Sequence, residues 1–170
     1  MNKSATALAV TILLIFVFAL PGAPAASARE VSILQFNTMV GVPATLTGTQ
    51  SQAPLRNING GGLPWMLTSA KGSLGASGHL KVSVTGLVLA AGPNAGSNPI
   101  ASFRALVSCV KSDGTFDNVL TGLFPATTGT AASGGGDAEI ETDVVLPQPC
   151  IAPIVFVTSP TGAWFAATGN

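Results

Sequence analysis

The sequence is poor in charge, contains no tyrosine, and has only one histidine and two cysteines. Charged residues make up 8% of the chain and the formal net charge is zero, so the clustered positive charge that nucleic-acid binding needs is missing. One histidine and two cysteines are too few for an ordinary transition-metal site, and we expect no cofactor. Apolar residues nevertheless reach 47%, which excludes general disorder.

Helical patterns are also missing after residue 28. This part of the sequence has no hydrophobic period of 3.6 residues, and it lacks the alternation of strands and helices that would indicate an α/β fold. Instead, most of the 20 glycines and 12 prolines of the full chain separate short runs with strand character. In the clearest run, residues 79–85, Leu80, Val82 and Val84 alternate with polar residues. The pattern predicts an all-β fold, an antiparallel β-sandwich of about eight or nine strands, with a β-barrel as the alternative.

Turn residues predict two hairpins and two long loops. Residues 76–78 and the Asp113-Gly114 pair each separate two strand-like runs, and Asp-Gly favours the positive φ angles of tight hairpin turns. Residues 41–63 and 125–136 are rich in glycine and polar residues. We expect both of these segments to loop over the surface.

The N-terminal residues have the features of a signal peptide. Lys3 precedes an apolar run at residues 7–20, shorter than the roughly 20 residues of a membrane-spanning helix. Ala26-Ser27-Ala28 then supplies the small residues that a signal peptidase requires. We expect residues 1–28 to be a cleaved signal peptide, with an uncleaved membrane anchor as the alternative. Residues 29–170 would then form one secreted domain, extracellular or periplasmic, with no remaining membrane contact.

Cys109 and Cys150 are the only cysteines, and both follow the predicted cleavage point. An even number of cysteines in an exported chain favours a structural disulfide. The alternative, a reactive thiol pair, lacks the C-x-x-C spacing. We predict a Cys109–Cys150 disulfide between two buried cysteines, joining the strand-like runs at residues 103–111 and 151–158.

Four carboxylates alternate along one predicted strand, at Asp137, Glu139, Glu141 and Asp143. Alternation places all four on one face, where they could form a calcium site or a cation-binding surface. On an extended strand, however, they would spread over about 20 Å and would not converge on one ion. We therefore favour a solvated acidic surface that discourages association between sheet edges.

Charge is unevenly divided along the chain. Residues 29–111 contain six basic residues and one acidic residue, whereas residues 112–170 contain six acidic residues and no basic ones. Pairing of the acidic strand with a lysine-bearing strand would bring the two parts together. Head-to-tail association of a dipolar molecule is the alternative, and intramolecular pairing is the expectation that we adopt.

Catalytic patterns are weak. A Ser-His-Asp hydrolase would need His79, the only imidazole, as its base and a serine such as Ser77 as its nucleophile. The sequence Gly75-Ala76-Ser77-Gly78 lacks the G-x-S-x-G spacing of a nucleophile elbow. A glycosidase would need only two carboxylates facing each other across a cleft, which spacing alone does not exclude. We assign no catalytic residue, and no metal ligand.

Trp65 and Trp164 could form a stacking platform for carbohydrate. Because aromatic residues make up only 6% of the chain and tyrosine is absent, we expect the two tryptophans to belong to the core instead.

Three segments, GGLPWMLTSAKG, GLFPATTGT and GDAEIETDVVLPQPCIAPIVFVTSPTGAWFAATG, resemble those of small secreted bacterial proteins for which no activity is known. The resemblance covers most of the chain from about residue 60 onward and implies bacterial export. It implies no ligand and no site.

The sequence therefore favours a secreted, non-enzymatic structural or binding module, with a glycan or a cell-surface molecule as its partner. A secreted hydrolase that cleaves polysaccharide or cell-wall material through a carboxylate pair is the alternative.

Overall fold

The structure, a computed structural model, describes residues 30–48 and 54–169. The predicted signal peptide, residues 1–28, lies outside the described residues. Over the described part, the chain forms fourteen β-strands and two single-turn 3-10 helices, and no α-helix. The strands are β1 (Ser32–Phe36), β2 (Met39–Gly41), β3 (Trp65–Met66), β4 (Ser69–Gly75), β5 (His79–Thr85), β6 (Val88–Leu89), β7 (Ser97–Asn98), β8 (Ser102–Val110), β9 (Phe116–Leu120), β10 (Phe124–Pro125), β11 (Gly129–Thr130), β12 (Ala138–Asp143), β13 (Ile151–Thr158) and β14 (Trp164–Thr168). The 3-10 helices are Ala44–Leu46 and Ala131–Ser133.

The long strands form two antiparallel sheets. Sheet A has the order β1-β4-β5-β12, and sheet B has the order β10-β8-β13-β14-β2, with β9 also pairing with β8. The short strands β3 and β6, and β7 and β11, form two further antiparallel pairs. Neither sheet closes on itself in the described part of the chain, so the structure has a sandwich-like arrangement and not the alternative barrel. The predicted all-β antiparallel class is confirmed, and eight of the described strands have five or more residues.

The core lies between the two sheets, because each contributes the apolar face of alternating strands. Leu80, Val82 and Val84 on β5 are buried as predicted. On β8, Phe103 and Val107 are fully buried and belong to the same continuous core. The two tryptophans also belong to this core.

Both predicted hairpins are confirmed. β4 and β5 are joined by residues 76–78, and β8 and β9 by residues 111–115. In the first turn Gly78 has a φ of 98°, and a Cβ atom there would overlap the carbonyl of Val144. In the second turn the Asp113 carboxylate accepts hydrogen bonds from the hydroxyl and the backbone N–H of Thr115, which lower the pKa of Asp113.

The expectation of a surface loop at residues 41–63 is only partly correct. Residues 54–61 contact two separate strands of sheet B, β9 and β14. The amide of Gly61 donates to the carbonyl of Trp164 on β14, and the Arg56 carbonyl accepts from the Asn118 side chain on β9. The segment therefore crosses the outer face of sheet B, where Phe156 is fully buried. Hydrophobic burial, in which Ile58 takes part, explains why this polar stretch packs so closely.

The second predicted loop, residues 125–136, contains more ordered structure than expected. It includes β11, which pairs with β7, and the 3-10 helix Ala131–Ser133. A bridge between Ala126 and Ala138 also joins this segment to β12, so one edge of sheet A is linked to the β10 side of sheet B.

The predicted disulfide between Cys109 and Cys150 is present. Cys109 lies in β8 and Cys150 directly precedes β13, and the next residues, Val110 and Ile151, are paired across the two strands. The disulfide thus joins neighbouring strands of sheet B. Cys109 is fully buried, as expected, whereas Cys150 is only half-buried because the first residues of β13 are exposed.

Candidate binding surface on sheet A

The face of sheet A that points away from the core carries most of the candidate residues. Alternation along β4, β5 and β12 places the apolar side chains inward, and the polar side chains between them project from the opposite face. Three of the four predicted carboxylates are exposed there: Glu139, Glu141 and Asp143. The fourth, Asp137, precedes β12, and its Oδ1 atom accepts a hydrogen bond of 2.9 Å from the amide of Gly86.

Each exposed carboxylate on β12 contacts a residue of β5 directly opposite. Lys81 Nζ lies 2.8 Å from Glu141 Oε1, and the hydroxyl of Ser83 donates to Glu139 Oε1 over 2.5 Å. The hydrogen bond from Lys81 lowers the pKa of Glu141. The expected intramolecular pairing between the acidic strand and a lysine-bearing strand is therefore found at Lys81 and Glu141.

His79 Nδ1 lies 2.9 Å from Asp143 Oδ1, and Nε2 lies 3.5 Å from Glu141 Oε1. The hydrogen bond with Asp143 raises the pKa of His79, and the charges of Asp143, Glu30 and Glu141 add to this effect. Both ring nitrogens thus face carboxylates.

The hydroxyl of Ser77 is not placed as a nucleophile. It donates to the Glu30 carboxylate and accepts a hydrogen bond of 3.4 Å from the backbone amide of His79. Within the described residues, no side-chain hydroxyl hydrogen-bonds to the imidazole ring. The arrangement lacks the serine–imidazole contact on which a Ser-His-Asp hydrolase depends.

The calcium alternative gains no support from the carboxylates. Successive outward residues on a strand lie about 6–7 Å apart, and these carboxylates are already engaged with side chains of β5. In residues 30–48 and 54–169, no group of three or more His, Cys, Asp or Glu residues could hold a metal ion.

A depression of about 600 Å³ lies beside the acidic strand, over β1, β4 and β5. Its polar lining consists of Gln35, Asn37, Lys71, Ser73, Lys81, Ser83 and Glu139. On the core-facing side of β4, Gly72 leaves room for Phe36, because a Cβ atom there would overlap the Lys81 carbonyl and the ring of Phe36. Close packing of Phe36 on Gly72 therefore depends on glycine.

A smaller depression of about 180 Å³ adjoins the first one. It is lined by Glu30, Ser32, Gln35, Ser73, Gly75 and His79, so Gln35 and Ser73 belong to both depressions. We call the two together the sheet A trough. Of its polar residues, only Glu139 and His79 were candidates on the sequence alone. Gln35, Asn37, Lys71 and Ser73 were missed, because nothing in the sequence shows that β1 lies beside β4.

The tryptophans do not contribute to this surface. Trp65 is 5% exposed and stacks on Phe165 with ring centroids 3.9 Å apart, and Trp164 is 3% exposed. Their predicted place in the core is confirmed, and neither tryptophan lines the trough.

The raised pKa of His79 gives a testable pH dependence. A group whose pKa is higher in the folded protein contributes stability that is complete below its unfolded pKa of about 6.5 and is lost as pH rises through the folded pKa. We therefore expect a His79→Gln variant to melt below the parent protein at about pH 5.5, with a smaller difference at about pH 8.5. Thermal denaturation of both proteins at the two pH values, with Lys111→Gln as the control, measures this; equal differences at both would contradict it.

None of the helices in the described part of the chain is long and apolar enough to span a membrane. No protein-family model, no curated protein and no solved structure matches this chain.

Proposed function

We propose that this protein is an exported bacterial binding module without catalytic activity, and that it binds a neutral glycan in the sheet A trough. The observation that carries the proposal is the depression of about 600 Å³ on the exposed face of sheet A, which has seven polar residues in its lining. Concave sites with several convergent polar groups are where small molecules and polymer segments bind.

The chemistry of the lining favours a ligand rich in hydroxyl groups. Ammonium groups donate hydrogen bonds, carboxylates accept them, and hydroxyl and amide side chains do both. Lys71 supplies donors, Glu139 supplies acceptors, and Gln35 and Asn37 supply planar amides that offer both. A sugar hydroxyl also donates and accepts, so each can be matched within this lining.

Charge in and beside the depression favours a neutral ligand. The two lysines that line it, Lys71 and Lys81, are balanced by Glu139 in the lining and by Glu141, which pairs with Lys81. Over these four groups in and beside the larger depression the sum is zero, so neither an anionic nor a cationic polymer gains a net Coulombic attraction there.

The hydrolase alternative receives less support. A glycosidase needs two carboxyl groups on opposite sides of the scissile bond, about 5–9.5 Å apart. Glu139, Glu141 and Asp143 all lie on β12, and each is held by a residue of β5. These three carboxylates therefore lie side by side on one strand, and none of them faces another across a bound ligand.

Export is supported by three features together. The first 28 residues have the pattern of a signal peptide, the disulfide suits a non-reducing compartment, and the resemblance given above is to secreted bacterial proteins. A binding module at the cell surface or outside the cell is consistent with all three.

Replacement of Lys71 with alanine tests the proposed site. Loss of the Lys71 donors is expected to weaken binding by roughly tenfold, because a hydrogen bond from a charged group contributes about 1.5 kcal/mol or more. Binding of soluble dextran, mannan, xylan and β-glucan to the mature protein would be measured by calorimetry or affinity electrophoresis. Lys111→Ala, which removes the same charge from the hairpin between β8 and β9, is the matched control.

Salt separates the neutral-glycan proposal from ionic binding. Contacts between neutral hydroxyls and the lining should persist in high salt, whereas attraction between exposed charges is screened. The proposal is overturned if none of the four polysaccharides binds, if binding disappears in high salt, or if Lys111→Ala weakens it as much as Lys71→Ala.

A further inference from the structure

Glu30 closes one end of the sheet A trough. Its carboxylate lines the smaller depression and lies against Gly75 of β4, where a Cβ atom would overlap the carboxylate. Gly75 is buried for this reason, although it alternates with Lys71 and Ser73 on the outward face of β4. A ligand that follows β4 from Lys71 over Ser73 therefore meets the Glu30 carboxylate and goes no further.

Side-chain and backbone contacts hold Glu30 in this position. The hydroxyl of Ser77 donates to Oε1 of the carboxylate. The carbonyl of the next residue, Val31, accepts a hydrogen bond of 2.7 Å from the amide of Ala76, and Ser32 then pairs with β4. The backbone beside Glu30 is thus fixed on the turn between β4 and β5, so the end wall of the trough is part of the fold.

The opposite end of the trough has no such wall on β4. Lys71 lines the larger depression, and the next outward residue of β4 is Ser69, which is small and exposed. The strand that borders the trough through Gln35, β1, ends at Phe36. A ligand in the larger depression can extend past Lys71, so the trough is closed at the Glu30 end and open at the other.

The chemistry of the end wall separates the end of a sugar chain from its interior. In the described part of the chain, Ser77 is the one hydrogen-bond donor to Glu30, and a carboxylate has about four lone-pair sites, so acceptor capacity remains. The free hydroxyl of a terminal sugar can donate to this carboxylate in a charge-assisted hydrogen bond. A glycosidic oxygen carries no proton, so a linkage to a further sugar unit would place two acceptors against each other.

From these contacts we infer that the trough binds one end of a neutral sugar chain, with the terminal unit over Ser73 and one of its hydroxyls donating to Glu30. The rest of the chain extends over the larger depression and leaves the trough past Lys71. The inference rests on the proposed function and adds the part of the glycan that is recognised.

Blocked oligosaccharides test this inference. Linear tetrasaccharides of glucose, mannose and xylose would be compared in three forms: free, with a benzyl group at the reducing end, and with a benzyl group at the non-reducing end. Ser73 and Lys71 are about 7 Å apart along β4, so the far end of a tetrasaccharide lies outside the trough. We expect one blocked form to bind like the free form and the other to bind at least tenfold more weakly, which also identifies the recognised end.

Two variants of Glu30 separate its bulk from its charge. Glu30→Ala removes the end wall, and the blocked form that the parent protein rejects should then bind about as tightly as the free form. Glu30→Gln keeps the bulk, so it should still reject the blocked form, but it should bind the free form roughly tenfold more weakly because a charged acceptor is lost. Asp117→Ala removes the same charge from β9 of sheet B and is the matched control. Melting curves confirm that each variant is folded.

The possible failures are distinguishable. If the parent protein binds both blocked forms as tightly as the free one, or rejects both, the chain-end inference is wrong while the glycan-binding proposal stands. The inference is also overturned if Glu30→Ala still rejects the blocked form, or if Asp117→Ala accepts it. If no oligosaccharide or polysaccharide binds, the proposed function itself fails.

Discussion

Removal of the Cys109–Cys150 disulfide is expected to lower the free energy of unfolding by about 2–5 kcal/mol, a large share of the stability of a small domain. The cysteines are 41 residues apart in sequence, and the chain-entropy treatment gives about 4 kcal/mol for a closed loop of this size. That loop contains β12, a strand of sheet A, although the disulfide itself lies in sheet B. Without the disulfide, the unfolded chain can move β12 far from the strands of sheet B, which the folded protein holds in the facing sheet.

Chemical denaturation of the parent protein, with and without reductant, measures this effect directly. Cys150→Ser is the better variant, because Cys150 is half-buried and a serine hydroxyl there can reach water, whereas Cys109 is fully buried. Titration of thiols in the denatured, unreduced protein should find none. Two free thiols per chain, or equal midpoints with and without reductant, would show that the pairing is absent or makes no contribution.

Truncation of Phe103 to alanine is expected to cost about 3–5 kcal/mol. Phe103 is 0% exposed and lies between the sheets, with its ring centroid 6.4 Å from Trp65 and 5.9 Å from Phe165. Its removal leaves a cavity that these rigid rings cannot fill by small adjustments.

Phe116→Ala is the control for the Phe103 experiment. Phe116 lies on β9, is 38% exposed, and carries the Arg56 guanidinium 5.2 Å above its ring. The loss of partial burial and of this exposed cation–π contact should cost clearly less than the loss of Phe103. Equal destabilisation of the two variants in urea denaturation would contradict the placement of Phe103 in the central core.

Local patterns predicted the fold class well, because they depend on neighbours in sequence. The alternation of Leu80, Val82 and Val84 needs no knowledge of the partner strands, and Asp113-Gly114 makes a turn through its own backbone preferences. Strand ends were predicted less well. The predicted acidic strand was expected to include Asp137, but β12 begins at Ala138, which is the first residue that pairs with β5.

Most residues of the candidate site could not be predicted from the sequence. The trough depends on Gln35 lying opposite Ser73, and a register shift between Ser32 and Leu34 breaks the simple alternation that would have placed Gln35. The acidic strand was found because its carboxylates alternate within one short run. Its partners, Lys81, Ser83 and His79, follow from the pairing of β5 with β12, which joins residues 56–64 positions apart.

The Cys109–Cys150 disulfide has a further consequence in any medium that contains proteases. Between the two cysteines lie exposed residues of the glycine-rich segment that precedes β12, and exposed loops are where proteases cut first. A single cut anywhere inside this loop yields two polypeptides that stay covalently joined through sulfur. The nicked molecule keeps both parts of its core together, and its fragments separate in electrophoresis only after reduction.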